Sequence, residues 1–207
     1  MSLSSQIVAV CICIDYSDFL AETLPHNRPL FTNYYIITES RDTKTIELAK
    51  AYDCEVIITT KTKEKGATFN KGGLIYDAQH LIHPTFPTAW IVKLDADIYL
   101  PSNLWESINL NSLNKNGIYG LIRHVYKSRD DYEKKNASSI DHNKDGVTGY
   151  FQLYWNKMKY YPEWSANCSR CDLTFMSKFS IKHTFPVACI HFGEKHSNWN
   201  GRVSSTW

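Results

Sequence analysis

The sequence predicts an α/β domain in which helices flank a mostly parallel β-sheet. The first half of the 207-residue chain alternates short apolar runs with helical patterns. Such a β-α-β series implies right-handed crossovers between parallel strands. The first run, residues 7–14, is apolar throughout, which is typical of a strand covered on both faces. After Pro101 the alternation loosens, so the C-terminal half is predicted to add a smaller subregion.

Four strands are predicted in the first half, each a short apolar run: residues 7–14, 34–38, 55–60 and 89–94. Three helices are predicted between them: residues 17–24, 43–52 and 70–81. Ser17 and Asp42 are candidate N-caps for the first two helices. Because ligands of such sheets bind outside the carboxyl ends of the strands, the residues that follow each strand are the first candidates for function.

Five elements are predicted in the second half: a short helix at 104–108, strands at 117–125 and 149–155, a helix at 172–179 and a strand at 187–191. Residues 127–145 are charged and poor in apolar residues, which predicts a mobile loop. The chain contains no internal repeat and no clear interdomain linker. We therefore expect one domain over residues 1–207, and the abrupt stop at Trp207 fits one domain of a longer protein.

Composition narrows the class of protein. Lys and Arg exceed Asp and Glu by only two charges, which argues against a nucleic-acid-binding surface. Of the six cysteines, Cys168 and Cys171 have C-x₂-C spacing, but no second pair follows, so a structural zinc site is not expected. The N-terminus lacks a secretory signal, and no apolar run approaches the length of a membrane span. We expect a soluble, cytoplasmic protein of unknown oligomeric state.

Asp95 and Asp97 follow the fourth predicted strand and are the most informative pair in the chain. Residues i and i+2 of a strand point to one side, so the two carboxylates are expected to converge. Mg²⁺ and Mn²⁺ are commonly held by one or two carboxylates together with phosphate and water. The pair therefore predicts a site for a metal-bound nucleotide diphosphate. The alternative is two solvated aspartates at a strand end, where Asp is common.

Residues beyond the pair could complete such a site. His191 ends the last predicted strand, and its imidazole would suit Mn²⁺ better than Mg²⁺. Lys195 and Arg202 follow it and could clamp a diphosphate. Asp172 opens a predicted helix, where it could deprotonate a hydroxyl as a general base. The alternatives are a structural histidine for His191 and a helix cap for Asp172.

Residues 69–73, Phe-Asn-Lys-Gly-Gly, open the third predicted helix. Its N-terminus with Lys71 could attract phosphate, although an ordinary helix start capped by Asn70 explains the segment better when it is taken alone. The chain has no P-loop, and no G-x-G-x-x-G follows the first strand. We therefore expect neither a P-loop phosphate site nor an NAD-type Rossmann site.

The order of these motifs resembles the GT-A fold glycosyltransferases, whose sheet is Rossmann-like. The matching segments span nearly the whole chain: Ile14-Asp15-Tyr16, residues 69–72, Leu94-Asp95-Ala96-Asp97, residues 149–152, Cys171-Asp172 and residues 191–202. The chain resembles the small glycosyltransferase domain at the start of a chlorovirus glycan-building protein, and related bacterial enzymes. For a viral protein, the expected location is the host cytoplasm.

The resemblance implies a metal-dependent transfer from a UDP-sugar donor to a glycan hydroxyl acceptor. Residues 1–100 would bind the nucleotide sugar, and residues 101–207 would bind the acceptor and carry the catalytic base. The cofactor would be Mn²⁺ or Mg²⁺, with Asp97 and His191 as direct ligands. Asp95 would contact ribose, sugar or metal-bound water. Asp172 matches the acid of an x-E-D motif, with Cys171 in place of the usual Glu, and would act as the base of an inverting reaction.

The remaining implied contacts divide between donor and acceptor. The donor contacts are Asp15, Tyr16, Thr38, Glu39, Asn70, Lys71, Asp95, Lys195, Asn198 and Arg202. The acceptor contacts are Tyr150, Gln152, Trp155 and Trp164. The three aromatic residues in the acceptor set are candidates for stacking on the acceptor sugar, and core packing is an equal alternative for each.

Two rival functions remain open. A sugar-1-phosphate nucleotidyltransferase uses a similar sheet and metal, but such enzymes carry a glycine-rich loop after the first strand that residues 13–17 do not resemble. A noncatalytic domain that binds carbohydrate or nucleotide sugar is the other rival. Turnover of a nucleotide sugar would separate it from a transferase.

Overall fold

The structure is a computed structural model that describes residues 6–142, 147–157, 159–193, 200–202 and 207. Within this part of the chain nine strands form one sheet. The strands are β1 (Ile7–Ile12), β2 (Asn33–Thr38), β3 (Glu55–Ile58), β4 (Trp90–Asp95), β5 (Ile98–Tyr99), β6 (Gly117–Tyr126), β7 (Ser139–Asp141), β8 (Phe151–Trp155) and β9 (Ile181–Phe192).

Six α-helices accompany the sheet in the described residues. They are α1 (Ser17–Asn27), α2 (Thr43–Ala51), α3 (Lys71–Thr85), α4 (Leu104–Ser107), α5 (Arg129–Glu133) and α6 (Cys171–Met176). Short 3₁₀ turns lie at Arg28–Leu30, Glu64–Gly66 and Leu110–Ser112. No helix in the described part of the chain has both the length and the apolar character needed to cross a membrane.

The strand order is β3-β2-β1-β4-β8-β6-β9-β5, and β7 pairs with β6. Strands β1 to β4 are mutually parallel, with Ile12 of β1 opposite Asp95 of β4. β8 runs antiparallel to β4, and β9 lies parallel to β6. This is the predicted α/β class with a Rossmann-like first half. The carboxyl ends of β1, β2 and β4 meet at one edge, where open α/β sheets bind ligands.

The two faces of the sheet carry separate apolar layers, which explains the uninterrupted apolar sequence of β1. Ala9 and Cys11 pack toward α1 and α2, while Val8 and Val10 pack toward α3 and α6. Successive strand residues point to opposite faces, so a strand covered on both sides must be apolar at every position.

Local capping explains where two of the first helices begin. The Asp42 side chain accepts a hydrogen bond from the Thr45 backbone N–H, and the Asn70 side chain accepts one from that of Gly73. These caps were predicted. Ser17 is not a cap, because α1 begins at Ser17 and its N-cap residue, Tyr16, makes no side-chain capping bond.

The second half departs from the sequence prediction in two places. The segment predicted as a mobile loop contains α5 and β7, which pairs with residues 123–125 of β6. The last strand is also longer than predicted, because β9 begins at Ile181 and pairs with β6 along most of its length. β7 and the first part of β9 are both stabilised by pairing with β6. The apolar pattern of a single segment does not reveal such a partner.

Candidate functional site

Asp95 and Asp97 lie at the carboxyl edge but engage different partners. The Asp95 carboxylate contacts the ammonium groups of Lys71, at 3.2 Å, and of Lys93. Asp97 lies 3.3 Å from His191. β4 ends at Asp95 and the chain turns through Ala96 and Asp97, so the strand alternation on which the expected convergence was based does not extend to Asp97. The two-residue repeat of side-chain direction holds only within a strand.

Lys93 is a fully buried cation in the middle of β4. Its side chain is 1% exposed, and its ammonium donates to Asp95 and to the carbonyl of Gly149. Burial alone would raise the pKa of Asp95, but the charges of Lys71 and Lys93 outweigh it and hold that pKa well below its usual range. Asp95 therefore stays ionised, and its charge is balanced by the two ammonium groups.

Lys71 joins Asp95 to Asp172. Its ammonium lies 3.2 Å from Asp95 Oδ1 and 3.3 Å from Asp172 Oδ2, and its side chain is almost buried. Burial opposes the charged form of the lysine, but the carboxylates of Asp172 and Asp95 raise its pKa well above the usual value. The first turn of α3 thus supplies a permanent cation between two carboxylates from β4 and α6.

Asp172 is further held by a buried polar cluster. The Tyr161 hydroxyl lies 3.0 Å from Asp172 Oδ1 and also contacts Gln152 Oε1. The amide of Gln152 donates to the backbone carbonyls of Val147, at 3.0 Å, and of Asp172, at 3.3 Å. Burial, followed by the charge of Asp172, raises the pKa of Tyr161 well above its usual value, so the hydroxyl keeps its proton.

Gly149 gives the Asp172 carboxylate its space. A Cβ atom at position 149 would lie 1.7 Å from Asp172 Oδ2 and 1.9 Å from its Cγ. No side chain fits at that distance, so the close approach requires glycine. The Gly149 carbonyl also accepts from Lys93. One short segment therefore contacts both the base candidate and the buried lysine.

Asp97 and His191, the two predicted direct metal ligands, lie side by side. His191 Nε2 lies 3.3 Å from Asp97 Oδ2, and both side chains are largely buried. Asp97 Oδ1 and His191 Nδ1 are buried and have no hydrogen-bond partner among the described residues. Octahedral metal–ligand distances of about 2.1 Å place neighbouring ligand atoms about 3 Å apart, so the pair fits two adjacent ligands.

Asp95, which was predicted to contact ribose, sugar or metal-bound water, contacts Lys71 and Lys93. Across the described residues, no group of three or more His, Cys, Asp and Glu side chains is arranged to hold a metal ion. A cation held by Asp97 and His191 alone would need its other ligands from phosphate oxygens and water, as Mg²⁺ commonly does.

The predicted nucleotide residues at the ends of β1 and β2 are bridged by Arg41. Its guanidinium binds both carboxylate oxygens of Asp15, at 2.9 and 2.8 Å, and also contacts Glu39. Asp15 has a left-handed backbone, with φ of 61°. Thr38 is completely buried, and its hydroxyl lies 3.4 Å from Asp42 Oδ2. The side chains of Asp15 and Glu39 are 49% and 19% exposed, so a ligand can reach them, whereas Thr38 is enclosed.

Arg202 lies beside the same edge. It donates to both carboxylate oxygens of Asp18 and to the carbonyl of Asp15, at 2.8 Å. Its guanidinium carbon lies 5.0 Å from the centre of the Tyr16 ring. Arg202 and Tyr16 are therefore brought together as predicted donor contacts. Lys195 and Asn198 lie outside the described residues.

The N-terminus of α3 does not offer free donors to a phosphate. The Gly73 N–H donates to the Asn70 side chain, and the Gly72 N–H donates to the Ser165 hydroxyl at 2.9 Å. Asn70 is fully buried and also accepts from the Ser165 N–H at 2.8 Å. This segment is therefore a capped helix start, and its Lys71 forms ion pairs with Asp95 and Asp172.

The four predicted acceptor residues occupy three different environments. Tyr150 and Gln152 are buried, and the Tyr150 hydroxyl donates to the Leu121 carbonyl. Trp155 packs against Trp90 at the start of β4, which is the end of the strand away from Asp95. Trp164 is 40% exposed and donates to the Glu64 carbonyl at 3.0 Å. Of the aromatic candidates, Trp164 alone presents an exposed ring near the α3 start.

The sequence did not predict Lys93, Arg41 or Tyr161 as residues of this site, and Gly149 was noted only as part of the matching segment 149–152, without a role. A lysine inside an otherwise apolar strand is an unusual pattern, so Lys93 could have been singled out. The other three carry no distinctive spacing. Their roles depend on contacts with residues far away in the sequence.

The chain matches no protein-family model and no curated protein. It does resemble solved structures. A mycobacterial protein superposes with a TM-score of 0.57 at 9% identity, over 93% of this chain and 68% of that one. Glucosyl-3-phosphoglycerate synthase from Mycobacterium tuberculosis, in complex with Mn²⁺, UDP and phosphoglyceric acid, gives 0.52 at 10% identity, over 94% and 72%.

A third similar structure is a putative glucose-1-phosphate thymidylyltransferase from Bacillus anthracis, in complex with a sucrose. Its TM-score is 0.50 at 10% identity, over 88% of each chain. These likenesses show the fold, a Rossmann-like α/β sheet. At such identities the function has to be argued from the site of this chain.

Proposed function

We propose that the protein is a glycosyltransferase that moves a sugar from a UDP-sugar to a hydroxyl of a glycan acceptor. The observation that carries the proposal is the fixed Asp172 carboxylate, tied through Lys71 to Asp95 at the carboxyl edge of β4. Residues 1–100 would bind the donor, and residues 101–207 would bind the acceptor. The resemblance to a chlorovirus domain and its bacterial relatives remains a prediction.

Asp172 is the proposed general base. A carboxylate held at both oxygens, by Lys71 and by Tyr161, still has lone pairs for an incoming hydroxyl. The acceptor oxygen would attack the anomeric carbon as Asp172 takes its proton, and the bond to the diphosphate oxygen would break with its electron pair. A single displacement of this kind inverts the anomeric configuration.

Asp97 and His191 are the residues that would hold Mn²⁺ or Mg²⁺. The bound cation would supply charge stabilisation for the leaving diphosphate. At the other end of the donor site, Asp15, Glu39 and Tyr16 are the proposed contacts of the nucleoside. Arg41 bridges the two carboxylates, so a ribose that hydrogen-bonds to them would compete with it. Trp164 is the proposed stacking surface for the acceptor sugar.

The test is a panel of UDP- and GDP-sugars incubated with Mn²⁺ and candidate glycan acceptors, with release of the nucleoside diphosphate as the signal. Asp172→Asn should abolish transfer while donor binding, measured calorimetrically, stays within about threefold of wild type. Asp77→Asn is the matched control, because Asp77 is a partly exposed carboxylate paired with Lys61 on the outer face of α3. Transfer by Asp172→Asn at the wild-type rate would remove Asp172 as the base.

A second candidate is a sugar-1-phosphate nucleotidyltransferase, which the likeness to the Bacillus anthracis structure favours. That activity would release pyrophosphate from a nucleoside triphosphate and a sugar 1-phosphate, without an acceptor glycan. Binding of a nucleotide sugar without turnover in either assay would instead indicate a noncatalytic carbohydrate-binding domain.

A further inference from the structure

The hydroxyl of Tyr161 has one proton and two acceptors. Asp172 Oδ1 lies 3.0 Å from the hydroxyl oxygen, and Gln152 Oε1 is also in contact with it. The Gln152 amide cannot rotate to present its NH₂ group to Tyr161, because that group already donates to the carbonyls of Val147 and Asp172. A flipped amide would place its oxygen against those two carbonyl oxygens. The Tyr161 proton therefore has to choose between the two acceptors.

The protonation state of Asp172 decides that choice. When Asp172 is a carboxylate, it is the stronger acceptor, and the Tyr161 proton points to it. When Asp172 carries a proton on Oδ1, that proton can be donated to the Tyr161 oxygen, and the Tyr161 proton turns to Gln152 Oε1. With Asp172 protonated, all of these hydrogen bonds are made. With Asp172 ionised, the charged acceptor takes the Tyr161 proton from Gln152 Oε1, because leaving a charged oxygen unpaired in a buried setting costs more than leaving a neutral one.

We propose that Tyr161 and Gln152 are positioning residues for Asp172. The hydroxyl proton of Tyr161 turns from Asp172 to Gln152 when Asp172 gains a proton during catalysis, and turns back when Asp172 loses it. This inference rests on the proposed function. In the transfer step the acceptor hydroxyl loses its proton to Asp172, its oxygen bonds to the anomeric carbon, and the diphosphate leaves with the electron pair of the broken bond. Tyr161 neither gains nor loses a proton overall.

Three features of the chain support this role. Tyr161 is 1% exposed and Gln152 is completely buried, so water does not replace the bond. The ring of Tyr161 is fixed by stacking on Phe175 of α6, with ring centres 4.3 Å apart, and its backbone N–H donates to Gln79 Oε1 at 2.7 Å. The raised pKa of Tyr161 keeps the hydroxyl protonated, so it acts by rotating its O–H bond.

The chain offers a matched control in Tyr154. This tyrosine is also fully buried, packs on the same Phe175 ring, and its hydroxyl accepts from the Gln79 amide at 2.8 Å. Tyr161→Phe and Tyr154→Phe each remove one buried hydroxyl beside α6. Only the first removes a contact to Asp172.

The first experiment compares the kinetics of these two variants. Tyr161→Phe should lower kcat by about 10- to 100-fold, the value of a hydrogen bond to a charged group, with the KM for the donor within about twofold of wild type. Tyr154→Phe should keep the wild-type kcat. Equal kcat values for Tyr161→Phe and wild type, or equal losses in the two variants, would overturn the proposal.

The second experiment does not depend on turnover. The buried Tyr161 hydroxyl should give a downfield ¹H NMR signal that is absent in Tyr161→Phe and moves upfield in Asp172→Asn, while Tyr154→Phe leaves it in place. A signal that does not respond to Asp172→Asn would overturn the reversal. Absence of transfer by the wild-type protein would contradict the proposed function instead, and the NMR result would then decide whether Tyr161 holds Asp172.

Discussion

Gly149→Ala is the sharpest test of the geometry around Asp172. The added Cβ would lie 1.7 Å from Asp172 Oδ2, which is 1.7 Å short of the 3.4 Å at which ordinary van der Waals contact begins. The carboxylate must move by more than 1 Å, which breaks its contacts with Lys71, now at 3.3 Å, and Tyr161, now at 3.0 Å. A displacement of about 1 Å at the reacting group can cost about 100-fold in rate.

We therefore expect Gly149→Ala to lower kcat for transfer by about 100-fold or more while donor affinity stays within about threefold. Stability should fall by about 1–3 kcal/mol, the usual cost of overpacking. Gly117→Ala is the matched control: its Cβ would meet the Tyr119 hydroxyl oxygen at 2.6 Å, at the opposite edge of the sheet. Stability is measured by urea unfolding. Wild-type transfer by Gly149→Ala would refute the placement of Asp172.

Two further predictions concern stability and metal binding. His83 is buried beside Tyr160. Burial, followed by the charge of His80, lowers the pKa of His83 from 6.5 to about 4. The contribution of the neutral imidazole to the free energy of unfolding is present above pH 6.5 and is lost as the pH falls toward 4, and the loss at pH 4.5 is about 2–3 kcal/mol. Urea unfolding at pH 7.5 and 4.5 should show a smaller loss for His83→Phe than for wild type, and equal losses would contradict this assignment. Asp97→Asn should weaken Mn²⁺ binding in the presence of UDP by about tenfold or more, measured calorimetrically, whereas Asp77→Asn should not; equal affinities would exclude Asp97 as a ligand.

The parallel half of the fold was predictable because its strands and helices are encoded by local patterns. The apolar run of β1, the Asp42 and Asn70 caps and the position of Asp95 at the end of β4 are all visible in the sequence. Parallel pairing then brings the ends of β1 and β4 to one edge. The candidate site could therefore be located at an edge before any contact was known.

The second half was less predictable because its elements depend on partners far away in the chain. β7 is a three-residue strand that forms on β6, and the first residues of β9 pair with the start of β6. The position of Trp155 shows the same limit. The family resemblance implied acceptor binding for it, but the antiparallel direction of β8 carries it to the far end of β4.

The sequence by itself determined which chemical groups reach the ligand edge, because strand ends and helix starts follow from local patterning and capping. Asp95, Asp97, Asp172 and His191 were all identifiable in this way. Only the tertiary structure decided how these groups are paired: Asp95 with two lysines, Asp97 with His191, and Asp172 with Lys71 and Tyr161. The physical reason is that a carboxylate leaving water takes the nearest available cation or donor, and which one is nearest depends on packing between distant segments.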